Sequence, residues 1–229
     1  MATVSTRTRA PDAARSLMSV LSRAGAENES GVSEAIDDAL AALVKKRRAK
    51  WYRRFAEAVA EIGRRTDEST LSALCRNEHF LTVSLEAAQI ARRNHSDEKL
   101  DALKWIVVHA ALPEAANEEI QSMFVRYVDE LTPAHLFVLL LLDRPPQWVE
   151  RQGMAWPHWG WGTVSSLIQY CMPALRGQPE AIEQVVRELQ TRGLIEAGPY
   201  LRAPTSDAAL QERRTTLYGR TFIATITGA

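Results

Sequence analysis

The sequence predicts a mostly α protein, a helical bundle followed by a C-terminal part that contains a short two-stranded element. Apolar residues recur at three- and four-residue steps over most of the chain, which is the period of one helix face. Hydroxyl and acidic caps and prolines punctuate these segments at short intervals, as in bundles of antiparallel neighbours. Only the C-terminal stretch breaks the helical period. There Leu194-Ile195-Glu196 and Thr215-Thr216-Leu217 read as two brief strands on either side of a polar loop.

Residues 1–10 are polar and rich in Thr and Arg, a composition expected to lack regular structure at a terminus. Pro11-Asp12 opens a short amphipathic helix bearing Leu17, Met18, Val20 and Leu21, and the segment from Gly25 to Gly31 is a polar linker. Residues 1–31 therefore read as a flexible arm that docks on its own body or on a partner. Ser33 is the expected N-cap of a long helix ending near Arg65, with Glu34 in its first turn. Its apolar stripe runs through Ile36, Leu40, Leu43, Val44, Trp51, Phe55, Val59 and Ile62. About thirty residues of helix span roughly 45 Å, enough for a bundle backbone or a dimer seam.

Thr66-Asp67-Glu68 and Ser96-Asp97-Glu98 start helices near 67–76 and 97–111, with another near 79–93 between them. Pro113-Glu114 starts a further helix with Ile120, Met123, Phe124, Tyr127 and Val128 on its apolar face. These segments make residues 32–130 the helical bundle. Thr132-Pro133 opens the next helix, with proline at the first helical position. The run Leu136–Leu142 falls far short of the roughly 20 residues of a membrane span and reads as a helix buried on most sides. Residues 146–162 hold Trp148, Trp156, Trp159 and Trp161 among glycines and read as an aromatic-rich insertion loop. Helices then follow at Thr163–Cys171 and from Pro179 to Gly193, the latter glycine in the usual C-terminal position. Gly198-Pro199 turns the first strand, Gly219 breaks the second, and Phe222, Ile223 and Ile226 make a closing helical turn.

Composition narrows the function. Apolar residues at 46% and charged residues at 24% are ordinary for a globular chain. The formal net charge is zero, so nothing global attracts nucleic acid. The charge is polarised, however: residues 1–65 are net +5, residues 66–130 net −6 and residues 131–229 net +1. Cys75 and Cys171 lie far apart with no metal-type spacing, which points to a reducing, cytoplasmic setting and to two small core residues. The N-terminal arginines have no apolar run behind them, unlike a signal peptide. The five histidines, His79, His95, His109, His135 and His158, form no metal-binding pair, and no nucleophile elbow, phosphate loop or dinucleotide glycine pattern occurs. A non-enzyme is expected, with no catalytic residues, cofactor or metal.

The order of Arg192-Gly193-Leu194-Ile195, a polar loop, and Thr216-Leu217-Tyr218-Gly219-Arg220-Thr221-Phe222 resembles the C-terminal half of MarR-type winged helices. That resemblance implies a winged-helix domain over residues 131–229, with the helix from Pro179 as recognition helix, a two-stranded wing, and a homodimer. The overall layout, a basic helical start, a helical middle and a Leu131-Thr132-Pro133 opening to the last part, also resembles bacterial Abi-alpha (abortive-infection-type) proteins. This second resemblance implies a role in phage defence and brings no catalytic residues with it.

The expected recognition helix offers Glu180, Glu183, Gln184, Arg187, Glu188, Gln190 and Arg192, three acids against two bases. Acids in its first half would repel a phosphate backbone. Better candidates for phosphate contact are Lys45, Lys46, Arg47, Arg48, Lys50, Arg53 and Arg54, interleaved with Trp51, Tyr52 and Phe55, and the loop arginines Arg202, Arg213 and Arg214. The helical patch suits nucleic acid or anionic lipid. Its competing reading is a solvated face with Trp51 and Phe55 in the core, paired with the acidic middle segment. Trp148, Trp156, Trp159 and Trp161 are candidates for partner binding, since tryptophan dominates interface hot spots, or else they cover their own bundle. The resulting expectation is a non-catalytic regulator or nucleic-acid-associated protein, with a protein-interaction module, such as a phage-defence component, as the alternative.

Overall fold

A computed structural model describes residues 29–112, 117–198 and 201–228. The arm helix, the Pro113-Glu114 helix start and Pro199 lie outside these residues. Among the described residues the chain forms eleven α-helices, one 3₁₀ turn and a two-stranded antiparallel sheet, so the mostly α class holds. No helix of the described residues is long and apolar enough to cross a membrane.

Helix α1 runs Glu29–Arg65. It begins before Ser33, which therefore lies inside the helix and does not cap it. Helices α2 (Glu68–Leu74), α3 (Glu78–Arg93) and α4 (Asp97–Ala110) follow. Their N-caps are side chains whose oxygens accept from the first-turn amides: Asp67 from Thr70 at 2.7 Å, Asn77 from Phe80 at 2.8 Å and Ser96 from Lys99 at 3.3 Å. Thr66, the expected hydroxyl cap, instead donates back to the Ile62 carbonyl. Helix α5 (Glu118–Glu130) completes this layer. Helix α4 lies at the centre: Leu100, Leu103, Ile106, Val107 and Val108 are all buried, and α1, α3, α5 and the C-terminal helix pack around it.

Most of the expected α1 stripe is not core. Trp51 and Ile62 are buried, but Leu40 is 50% exposed, Val44 41% and Val59 39%. Length explains the first two. Helix α1 is about 55 Å long, whereas its main partners α3 and α4 are about 24 and 21 Å. The Arg47 guanidinium reaches the carbonyl of Arg93, the last residue of α3, and Lys50 reaches Asp97, the first residue of α4. The part of α1 before residue 47 therefore overhangs the bundle.

Helix α6 (Pro133–Asp143) is buried on most sides, as its Leu-rich run predicts. Residues 145–151 form helix α7 (Pro145–Arg151), so the expected loop is helical in its first third. Strand β1 (Trp161–Gly162), helix α8 (Val164–Cys171), the 3₁₀ turn Pro173–Leu175 and helix α9 (Pro179–Thr191) follow. Strand β1 pairs with β2 (Thr205–Ser206), and a short helix α10 (Asp207–Leu210) comes next. The expected Leu194–Glu196 and Thr215–Leu217 strands are reduced to one antiparallel bridge, Ile195 to Thr215. It is flanked by Glu196 N–H to the Arg214 carbonyl at 2.8 Å and Thr216 N–H to the Leu194 carbonyl at 3.2 Å.

The closing turn is a full helix, α11 (Leu217–Thr227), capped by Thr216 through the Gly219 amide. Gly219 does not break a strand. It sits in the first helical turn, where a Cβ would lie 1.9 Å from the Leu194 carbonyl oxygen. Glycine here permits close backbone approach, not a turn. Phe222 of α11 meets Phe124 of α5 with tilted rings, 5.0 Å between centroids, and Tyr127 and Tyr218 complete the cluster. The buried core thus runs continuously from α1 to α11.

Candidate functional site

The basic patch on α1 divides by helix face. On the face towards the bundle, the Lys50 ammonium lies 2.8 Å from Asp97, and the Arg54 guanidinium lies 2.7 Å from Asp101 and 3.3 Å from Asp97. Arg47 donates to the Arg93 carbonyl at 3.2 Å. Lys50 and Arg54 sit at the N-terminal end of α4, where aligned peptide dipoles add partial positive charge and the two aspartates outweigh it, whereas Arg47 sits on the C-terminal end of α3. The pairing with the acidic middle segment is therefore real for two of the seven cations, Lys50 and Arg54. On the opposite face Lys45, Lys46 and Arg53 are exposed and make no ion pair or hydrogen bond among the described residues. Arg48 lies over the half-exposed Tyr52 ring at 5.2 Å and bonds its hydroxyl at 2.8 Å.

The C-terminal arginines differ in kind. Arg202 is exposed but ion-paired to Glu183 of α9 at 2.6 Å. Arg213 holds both the carbonyl and the carboxylate of Asp143, at 3.1 and 3.2 Å. Arg214 is buried, at 8% exposure, and donates to the carbonyls of Ala209 and Glu212. It fastens the loop from inside and offers no charge at the surface.

Three of the four insertion tryptophans face their own fold. Trp148 is buried against Phe137 at 4.4 Å between centroids, and Trp159 meets Tyr170 edge-on at 5.8 Å. Trp156 is half-buried and donates its indole N–H to Asp207 at 2.8 Å. Trp161 alone of the four is open, at 73% exposure.

A charged network with no sequence signature joins α5 to α9. Asp129 and Glu130, at the C-terminal end of α5, receive Arg93 at 2.6 Å and Arg192 at 3.1 Å, and the Lys99 ammonium donates to the Asp129 carbonyl at 2.7 Å. Cations at a helix C-terminus are favoured by its dipole. Burial lowers the pKa of Lys99, opposed by Asp129. Burial likewise lowers that of His135, whose Nε2 lies 3.2 Å from Glu188. A hydrogen bond from Gln184, with His135 and Arg192 nearby, holds the Glu188 carboxyl below its usual range. Every charged member has a structural partner, so this is a clamp between helices.

The cysteines part ways. Cys171 is buried and its thiol is pushed up to about 12 by desolvation, so it is inert core; Cys75 is exposed, contrary to the core role expected for it. Among the described residues no group of three or more His, Cys, Asp or Glu side chains is placed to hold a metal ion. Compared with protein-family models, curated proteins and solved structures, the chain matches none of them. Its reading therefore rests on its own residues.

Proposed function

We propose that the protein is a non-catalytic, nucleic-acid-associated regulator that meets phosphates through the outer face of α1. The observation that carries this reading is the exposure of Lys45, Lys46 and Arg53 without partners, beside Arg48 on the Tyr52 ring. Cations already paired with carboxylates would have to give up those partners before neutralising a phosphate and releasing its counterions, whereas these need not. Arg202 and Arg213 would have to give up ion pairs to join them, and Arg214 is turned inward. The C-terminal part is read as winged-helix-like, with α6, α8 and α9 as its helices. The Ile195–Thr215 bridge supports this as the base of a wing. Glu180 and Glu183 argue that α9 serves packing or protein contact rather than base readout. Binding of a fluorescent duplex DNA of mixed sequence should be detectable at low salt and weaken steeply between about 50 and 200 mM. Absent or salt-insensitive binding would remove the reading.

A second reading, a protein-interaction module in a bacterial defence system, is favoured by a different observation. Leu40 and Val44 on the overhang, Leu81 and Leu85 on α3, and Trp161 are exposed apolar positions among the described residues. Recovery of one stoichiometric partner, unaffected by nuclease, would place the function there.

A further inference from the structure

A cleft of about 550 Å³ opens between the end of α6, α7 and α11, within the range of small-molecule sites, about 300–1,000 Å³. Leu140, Trp148 and Ile223 give it an apolar wall, and three guanidinium groups, Arg144, Arg151 and Arg220, share its lining. The only acid among the lining residues is Asp143. Its carboxylate is already engaged: Thr215 donates to it at 2.6 Å and Arg213 lies 3.2 Å away, on top of a long 3.5 Å contact from Arg144. Arg220 is tied only through one nitrogen, to the Thr215 carbonyl at 3.2 Å, and Arg151 has no partner among the described residues. The cleft therefore carries a surplus of positive charge beside buried aromatic and aliphatic surface. None of this was visible in the sequence, because Arg144 and Arg151 bracket α7 while Arg220 comes from α11, about seventy residues further along the chain.

We propose that this cleft binds an amphiphilic organic anion, its apolar body lying against Leu140, Trp148 and Ile223 and its acidic head held by Arg144, Arg151 and Arg220. The guanidinium fork recognises carboxylate or sulfonate oxygens in pairs. The apolar wall excludes small inorganic anions as full occupants, since they would leave it in water. Conversely, a neutral apolar compound would leave the arginine surplus uncompensated. The site is separate from the outer face of α1, so the proposal does not depend on the nucleic-acid reading.

The test uses the full chain, one fluorescent probe and three competitors. The fluorescent anion 1-anilinonaphthalene-8-sulfonate should bind at one site and be displaced by decanoate, but not by decanol or inorganic phosphate. The double variant Arg144→Glu, Arg151→Glu should weaken both anions by at least about tenfold while leaving the far-ultraviolet circular dichroism unchanged. Both residues are exposed, so the variant is expected to fold. The single variant Arg151→Ala, which removes no ion pair or hydrogen bond among the described residues, serves as a milder check and should weaken binding in the same direction. The proposal is overturned if decanol competes as well as decanoate, if phosphate displaces the dye, if the charge-reversed variant binds it as tightly as the parent, or if no dye binds.

Discussion

Gly219 is set against the backbone of Leu194 so closely that any side chain must displace a carbonyl. The contact seats the first turn of α11 on the segment that leaves α9, and Thr216 reinforces it by donating to the Gly193 carbonyl at 2.6 Å. Gly219→Ala should therefore destabilise the fold by at least about 2 kcal/mol, as overpacking against a fixed neighbour does. Denaturant titration measures this, and a loss below about 0.5 kcal/mol, typical of ordinary surface changes, would contradict the contact. In the sequence this glycine suggested a strand break. The turn-breaking habit of glycine is local and readable, whereas close approach depends on a segment more than twenty residues away.

At the scale of the element, α1 shows how far periodicity can be trusted. Its apolar stripe correctly marked a helix, and Ile62 and Trp51 correctly marked its buried face. Periodicity carries no information on how long the neighbours are. Leu40 and Val44 share the stripe but extend past the ends of α3 and α4, so they face solvent. Leu40→Glu combined with Val44→Glu should change stability by no more than about 0.5 kcal/mol, while Trp51→Ala should cost about 3–5 kcal/mol. Thermal or chemical unfolding of the two variants separates the cases. Equal losses would mean that the overhang is packed after all. The same geometry decides which cations are available, because those facing α4 meet Asp97 and Asp101 and those facing away meet water.

For the whole molecule, the helical class and most helix boundaries were legible because caps and prolines are local signals: Ser96, Thr132, Pro133, Thr163 and Pro179 all start helices where the sequence put them. The long-range features were not legible. Nothing in the sequence showed that β1, at the end of the insertion, pairs with β2 beyond α8 and α9, that Arg214 turns inward, or that Phe124 and Phe222 join α5 to α11 in one continuous core. The candidate surface was half legible. Composition located the basic patch, but only the fold could show that Lys50 and Arg54 are neutralised while Lys45, Lys46 and Arg53 are open.

The central claim is thus that the outer face of α1, and not the C-terminal arginines, meets phosphate. The most direct measurement is the slope of log affinity for duplex DNA against log salt, taken for the parent, for Lys45→Ala, Lys46→Ala, Arg53→Ala combined, and for Arg202→Ala with Arg213→Ala. The triple variant should lose about 0.9 of slope for each phosphate contact removed, and the C-terminal pair should leave the slope unchanged. A triple variant with the parent's slope, or a C-terminal pair that loses as much, would contradict the account.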